Sequence, residues 1–286
     1  MFEFQHSQVT IGESSLHVVE VGPRGGHPYL FLHGWPQSWR EWQEVMALAA
    51  NDGAHAVAMD LPGVGGSTDT GSSGSKRHLA ATVHQVVEVL GLTDFALVGH
   101  DVGGMVAYAY LRGYVDAVRV VIVETVVPGV DPWERVLANP YIWHFAFHAI
   151  PKLPERLVQG HQAEYFAFFY DTIAANPSTI GREVRATYAE AYRSEASLGA
   201  GFDFYRAFPQ DARDNRELGE RGSTRTPLLY VRGGAGRSDI DADVYAAGLR
   251  RSGVEQLSLA VVPDAGHFIP EEAPAALWSL IKAWRS

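Results

Sequence analysis

Short, nearly uninterrupted apolar runs recur along this chain, and segments with helical periodicity separate them. A continuous apolar run bounded by turn residues is typical of a strand buried on both faces. The predicted buried strands are 28–32, 55–60, 95–98, 118–123, 227–232 and 257–262, and the predicted helices between or after them are 39–50, 76–90, 102–111 and a last one from Pro274. This alternation predicts an α/β fold with a mostly parallel sheet and helices on both faces.

Two segments depart from that alternation. Residues 9–21 alternate between apolar and polar around Gly12-Glu13, which predicts a β-hairpin. Residues 127–222 are helical in pattern and crowded with aromatic side chains. We interpret them as an inserted helical cap that covers the carboxyl ends of the strands. The plainer interpretation is a small helical bundle with its own aromatic core. The predicted domains are a core of 1–126 and 223–286 and a cap of 127–222.

Composition narrows the classes of partner. The formal net charge is −10 over 286 residues, and no basic run is present, so we expect no nucleic acid partner. No apolar stretch is long enough to span a bilayer. Residues 1–5 lack a basic start and an apolar core, so we expect no signal peptide and a cytoplasmic protein, unless the N-terminus has been processed. Cysteine is absent, which rules out disulfides and thiolate chemistry, and we expect no cofactor or metal.

The segment Gly99-His100-Asp101-Val102-Gly103 joins a predicted strand to a predicted helix by a sharp turn. A strand, a tight turn and a helix flanked by small residues form the context of a nucleophile elbow. Here the central residue is Asp101 instead of a serine. A carboxylate attacks an electrophilic sp³ carbon and leaves an alkyl ester, and it is already ionised at neutral pH without a base. A histidine is needed later, to activate the water that cleaves the ester.

Four separated motifs resemble the α/β-hydrolase superfamily and, within it, the epoxide hydrolase and dehalogenase branch, closest in pattern to Cif-type epoxide hydrolases. They are His33-Gly34-Trp35-Pro36, residues 60–67, the elbow, and Asp264-Ala265-Gly266-His267-Phe268. The resemblance covers essentially the whole chain. It implies His267 as the base and the backbone N–H groups of Trp35 and Val102 as an oxyanion hole. It gives His33 a supporting role in the first loop, and His100 is expected to pack or hydrogen-bond behind the elbow.

The acid that orients His267 has two candidate positions. The common one follows the strand 227–232, where Asp239 comes late in a glycine-rich loop. The other is the end of the strand before the cap, where Glu124 follows Val123 directly. A rigid strand end positions a carboxylate better than a loop does, and fluoroacetate dehalogenases and the Cif-type subgroup carry their acid at the earlier strand. We therefore expect Glu124 to be the acid.

Opening an epoxide creates an alkoxide, which needs a proton donor opposite the nucleophile. The Cif-type subgroup is similar in using a histidine and a tyrosine in cap segments that correspond to those of His144 and Tyr205. The plainer interpretation is that both are packed cap residues. The expected pocket residues around them are Trp143, Phe145 and Phe204.

The favoured function is an epoxide hydrolase that converts a small apolar epoxide and water to a vicinal diol through a covalent ester on Asp101. One alternative is a dehalogenase of the fluoroacetate or haloalkane type. Val102 and Met105 stand where fluoroacetate dehalogenases carry arginines for the substrate carboxylate, and Phe145 replaces one halide donor. A non-catalytic protein that binds an apolar ligand on a hydrolase fold is the alternative from another class. The oligomeric state is open, with a homodimer as one candidate.

Overall fold

The computed structural model describes residues 3–68, 71, 73–236 and 240–284. Its strands are β1 Gln5–Ile11, β2 Ser14–Val21, β3 Pro28–Leu32, β4 His55–Met59, β5 Ala96–His100, β6 Arg119–Val123, β7 Leu228–Gly233 and β8 Leu257–Val262. They form one sheet in the order β1-β2-β4-β3-β5-β6-β7-β8. β2 pairs antiparallel with both β1 and β4, and every other neighbouring pair is parallel. The predicted hairpin is β1–β2, and the predicted sheet is confirmed.

The helices follow the predicted alternation. They are α1 Gln43–Asn51, α2 Lys76–Leu90, α3 Val102–Gly113, α4 Trp133–Leu137, α5 Trp143–Ala149, α6 Leu153–Val158, α7 Gln162–Ile173, α8 Arg182–Ala191, α9 Glu195–Arg206, α10 Phe208–Glu220, α11 Ala242–Arg251, α12 Ile269–Glu272 and α13 Pro274–Ala283. The helix expected over 39–50 begins as a 3-10 helix, Trp39–Trp42, after Ser38 caps its start. Within the described part of the chain, no helix is both long and apolar enough to cross a membrane.

The central strands β3 to β7 are buried on both faces because the sheet separates two layers of helices. In β3, Leu30 and Leu32 pack into one hydrophobic cluster, whereas Tyr29 and Phe31 pack into another. The first cluster includes side chains of α2, α3 and α11, and the second includes side chains of α1, α12 and α13. Successive side chains of a strand point to opposite faces, so strands covered on both sides lose the alternation of a half-exposed sheet. The predicted α/β fold, with a mostly parallel sheet between two layers of helices, is confirmed.

Helices α4 to α10 lie in sequence between β6 and β7, where the helical cap was predicted. The limits of the cap at 127 and 222 stay a prediction. A buried ion pair attaches this segment to the sheet layer. The Lys76 ammonium at the start of α2 lies 2.9 Å from Asp211 Oδ2 on α10 and also donates to the carbonyl of Phe204 on α9. The residue after Phe204 is Tyr205, so this contact fixes the backbone beside one of the expected proton donors.

Candidate active site

Asp101 lies in the turn between β5 and α3, with φ +47° and ψ −116°. Its N–H donates to the Val123 carbonyl at 3.1 Å, and its own carbonyl accepts from the Thr125 hydroxyl at 2.7 Å. Gly99 and Gly103 make the turn possible, because a Cβ on Gly99 would collide with the backbone of Gly103. The backbone of Asp101 is therefore held, and its carboxylate is left to face outward from the sheet.

The loop after β3 supplies a donor to that carboxylate. The Trp35 N–H donates to Asp101 Oδ1 at 3.0 Å. His33 is fully buried and braces the loop, because Nδ1 contacts the Gly34 carbonyl at 2.8 Å and Nε2 accepts from the Leu61 N–H at 2.9 Å. Val102 is the first residue of α3, where a backbone N–H has no partner within the helix. Both expected oxyanion donors thus belong to segments that flank Asp101.

His267 lies between two carboxylates. Its Nε2 is 3.8 Å from Asp101 Oδ2, and its Nδ1 is 3.6 Å from Glu124 Oε2. Each separation is within ion-pair range and slightly longer than a hydrogen bond. Catalytic contacts are often this long before a substrate binds. The structure therefore brings together the three residues expected to form a triad, and Asp239, the alternative acid, lies outside the described residues.

Glu124 is 7% exposed and follows β6 with φ +44°. Its Oε1 accepts from the Gly233 N–H at 2.6 Å and lies 3.1 Å from Arg232 Nε. Burial by itself would raise the pKa of this carboxyl, but Arg232, His267 and the Gly233 N–H together hold the pKa below its ordinary value. Glu124 is therefore a carboxylate at neutral pH and faces His267 with a full negative charge.

Arg232 is a site residue that the sequence analysis missed. Its guanidinium stacks 4.7 Å from the ring centre of Tyr245 and donates to the Tyr230 hydroxyl at 3.1 Å. One signal was present in the sequence, because Arg232 is a charged residue in an otherwise apolar predicted strand. A buried charge at a strand end needs a partner of opposite sign, and that partner is Glu124.

A cavity of about 180 Å³ lies over Asp101. Asp101, Glu124 and His267 line it, together with side chains from the helical segment and from loops of the core. Its apolar lining residues among those described include Val126, Val136, Ile142, Phe145, Phe169, Ile173, Ile240 and Phe268. The lining Tyr141 is 87% exposed, which places it at the opening. A cavity of this size and composition suits a small, mostly apolar ligand.

His144 and Tyr205 both line this cavity, with ring centres 5.8 Å apart. Burial raises the pKa of Tyr205 well above its usual value, and the negative charge of Asp101 raises it further. Burial lowers the pKa of His144 to about 4, although Asp101 partly opposes that effect. At neutral pH the cavity therefore holds a protonated phenol and a neutral imidazole near a carboxylate.

Two of the three expected pocket residues are corrected by the structure. Phe145 lines the cavity, but Trp143 and Phe204 are not among its described lining residues. Trp143 is 41% exposed and packs against Phe168, whereas Phe204 is 1% exposed within the core. Adjacent helical residues point about 100° apart, so a helix that directs Tyr205 into the cavity directs Phe204 elsewhere. The sequence pattern located the aromatic segments but not the rotation of each helix.

Among the described residues, no group of three or more histidine, aspartate or glutamate side chains is arranged to hold a metal ion. Asp101 and Glu124 each pair with His267, and Glu124 also pairs with Arg232. These side chains can supply a nucleophile and a base with an orienting acid.

Comparisons with known proteins agree with this fold. A family model described as the alpha/beta hydrolase fold matches residues 28–274. The soluble epoxide hydrolase of Corynebacterium sp. (strain C12) is 29% identical over 278 residues, which are 95% of this chain and 94% of that protein. The fluoroacetate dehalogenase of Burkholderia sp. is 27% identical over 96% of this chain and 91% of its own length. Among solved structures, wild-type Cfl2 from Burkholderia cenocepacia has a TM-score of 0.88 at 33% identity, over 99% of this chain and 96% of that one.

The pairing of Glu124 with Arg232 generates a testable prediction. Replacing Arg232 by Met should raise the pKa of the Glu124 carboxyl. Burial raises this pKa, and the charge of Arg232 is the largest effect that lowers it. A ¹³C NMR titration of the side-chain carboxyls measures this directly. Arg225→Met is the matched control, since Arg225 is an exposed arginine paired with Glu255. An unchanged Glu124 pKa in Arg232→Met would contradict the assignment.

Proposed function

The chain belongs to the α/β-hydrolase fold family, in the epoxide hydrolase and dehalogenase branch that its motifs indicated, and we propose that it hydrolyses a small apolar epoxide to a vicinal diol. One observation carries this proposal: the side chain at the nucleophile turn is a carboxylate, and it shares an apolar cavity with a phenol and a neutral imidazole. A carboxylate can attack a ring carbon of an epoxide. The attack creates an alkoxide, to which the phenol and the imidazole can donate.

In the first step, an Asp101 carboxylate oxygen attacks one epoxide carbon, and the bond from that carbon to the ring oxygen breaks. The oxygen leaves as an alkoxide and takes a proton from the Tyr205 hydroxyl, while His144 donates a hydrogen bond to it. The product is a hydroxyalkyl ester of Asp101. The raised pKa of Tyr205 supports this role, because it keeps the phenol protonated until the alkoxide forms.

In the second step, His267 takes a proton from a water molecule, and the resulting hydroxide adds to the ester carbonyl of Asp101. The N–H groups of Trp35 and Val102 stabilise the oxyanion of the tetrahedral intermediate. Collapse of that intermediate releases the diol, whose new hydroxyl takes its proton from His267. The proton left on the Asp101 carboxyl passes through solvent to the Tyr205 phenolate, which restores both groups. Glu124 orients the imidazole and stabilises the imidazolium, a role supported by its 3.6 Å separation from His267 Nδ1.

We propose that the substrate is a neutral epoxide and not a negatively charged haloacid. Among the described lining residues of the cavity, Arg232 is the sole cation, and it is already paired with Glu124. A substrate carboxylate entering this apolar space would lose its hydration without gaining an ionic partner there. The similarity to a fluoroacetate dehalogenase keeps dehalogenation as the second candidate function.

A panel of small aryl and alkyl epoxides, tested beside fluoroacetate and chloroacetate, distinguishes the two functions. Diol formation from at least one epoxide, with negligible halide release, is the expected result. Product mass spectrometry and a halide electrode are the measurements. Robust fluoride release with no diol from any epoxide would reverse the assignment. Ligand binding without product in either group would favour the non-catalytic alternative.

Tyr205→Phe should slow alkylation of Asp101 by about 10²-fold or more, because it removes the proton donor to the alkoxide. Hydrolysis of an ester formed in the same variant should change little. Rapid quench followed by intact-protein mass spectrometry measures both steps. Tyr114→Phe, remote from the described cavity lining, is the control and should match the wild type. Unchanged alkylation in both Tyr205→Phe and His144→Gln would place the donors elsewhere.

Glu124→Gln should accumulate the Asp101 ester, because alkylation does not need His267 whereas hydrolysis does. The hydrolysis rate should fall by roughly 10²- to 10⁴-fold, as expected when a base loses the acid that orients it. Asp239→Asn is the comparison and should leave turnover within a few-fold of the wild type. Accumulated ester in Asp239→Asn with normal turnover in Glu124→Gln would show that the acid follows β7 instead.

A further inference from the structure

Glu41 and His100 form a buried pair directly behind the nucleophile. Glu41 lies in the 3-10 helix Trp39–Trp42, and His100 is the last residue of β5, next to Asp101. Both side chains are fully buried, and Glu41 Oε2 lies 3.1 Å from His100 Nδ1. Neither side chain lines the cavity described above, so the reaction steps do not use them.

The hydrogen-bond partners define the charge of this pair. His100 Nδ1 faces a carboxylate oxygen, and His100 Nε2 lies 2.9 Å from the backbone carbonyl of His267. When Glu41 is ionised, both partners are acceptors only, so both ring nitrogens carry a hydrogen and the ring is an imidazolium. Burial alone would lower the pKa of His100, but Glu41 and Asp101 raise it to about 9.

The pair connects the two loops that serve the second reaction step. Glu41 Oε1 accepts from the Gly34 N–H at 3.2 Å, and Gly34 precedes the oxyanion donor Trp35. At the other end, His100 donates to the carbonyl of His267, the base itself. One continuous chain of hydrogen bonds therefore runs from the oxyanion loop, behind Asp101, to the base.

We propose that Glu41 and His100 are a positioning pair that sets the oxyanion loop and His267 at fixed places around Asp101, so that losing the pair slows ester hydrolysis much more than alkylation. This inference rests on the proposed function. Alkylation needs the Asp101 carboxylate and the donors in the cavity, and the pair contacts neither Tyr205 nor His144. Hydrolysis needs both His267 and the Trp35 N–H, and the pair holds the backbone of each segment.

Other charged groups face the pair from the elements packed on it. Asp101 and the His267 ring lie on the side of the cavity, and the His100 and His267 ring centres are 4.9 Å apart. Glu271 of α12 interacts electrostatically with Arg40, Glu41 and Glu44. Burial raises the pKa of Glu271 to about 7, and the Tyr188 hydroxyl donates to it. Within the described residues, the Glu41 carboxylate forms an ion pair with His100.

The protonation state is tested first, on the full chain, by ¹⁵N NMR of the histidine rings with His100→Gln used for assignment. The His100 ring should remain doubly protonated at about pH 8, well above the usual histidine pKa of ~6.5. In Glu41→Gln it should lose a proton at a lower pH. A neutral His100 ring at about pH 8 in the wild type would overturn the ion pair, whatever the enzyme's substrate is.

The positioning role is tested by single-turnover kinetics of the same variant with an epoxide from the panel. In Glu41→Gln, ester hydrolysis should slow by on the order of tenfold to a hundredfold, because a small misplacement of catalytic groups has an effect of this size. The alkylation rate should stay within a few-fold of the wild-type rate. Glu44→Gln is the matched control, because Glu44 is an exposed glutamate on the adjoining α1. His100→Gln provides the second variant if Glu41→Gln does not fold.

The outcomes separate this inference from the proposed function. Suppose that the wild type forms ester and diol. Equal slowing of both steps in Glu41→Gln, or no slowing of either step, would then overturn the positioning role and leave the proposed function standing. Failure of the wild type to form any ester would overturn the proposed function instead, and the inference built on it.

Discussion

The structure depends on the close approach of a strand, a turn and a helix at Asp101. The residue has φ +47° and ψ −116°, a conformation that costs about 1–3 kcal/mol and persists only where the surroundings hold it. Gly99 and Gly103 permit that approach, since a Cβ on Gly103 would collide with the backbone of β3. Because β3 ends in the loop of Trp35, the same packing brings an N–H within 3.0 Å of the Asp101 carboxylate. The strained turn thus directs the Asp101 carboxylate, and the same packing places the Trp35 N–H beside it.

The second constraint is the balance of charge around His267. Two carboxylates, Asp101 and Glu124, lie within 4 Å of its ring nitrogens. Arg232 pairs with Glu124, the His100 imidazolium behind Asp101 pairs with Glu41, and the Asp101 carboxylate accepts from the Trp35 N–H. Such a set is stable only when every charge has a partner, because an unpaired charge in the interior is costly. The site is therefore preorganised before substrate arrives, which is the condition under which fixed charges contribute most to a reaction.

Much of this arrangement could be predicted from the sequence because its signals are local. Continuous apolar runs located the strands, and Glu124 could be singled out because it follows one directly; it lies 3.6 Å from His267 Nδ1. Trp143 and Phe204 were misplaced, because the rotation of a short helix depends on packing between elements and not on its own pattern. Arg232 and Glu41 were missed for a related reason. A charged residue shows its role only when the fold reveals its partner, and the partners here are 108 and 59 positions away.

The covalent ester on Asp101 is the central claim, and one isotopic measurement tests it most directly. Enzyme in excess over a single epoxide turns over once in ¹⁸O water, and the peptide that contains Asp101 is then analysed by mass spectrometry together with the diol. Attack by the carboxylate predicts that Asp101 gains the label and that the first diol carries an unlabelled oxygen from the enzyme. Label in the first diol with none in Asp101 would mean that water attacks the epoxide directly, which would contradict the account.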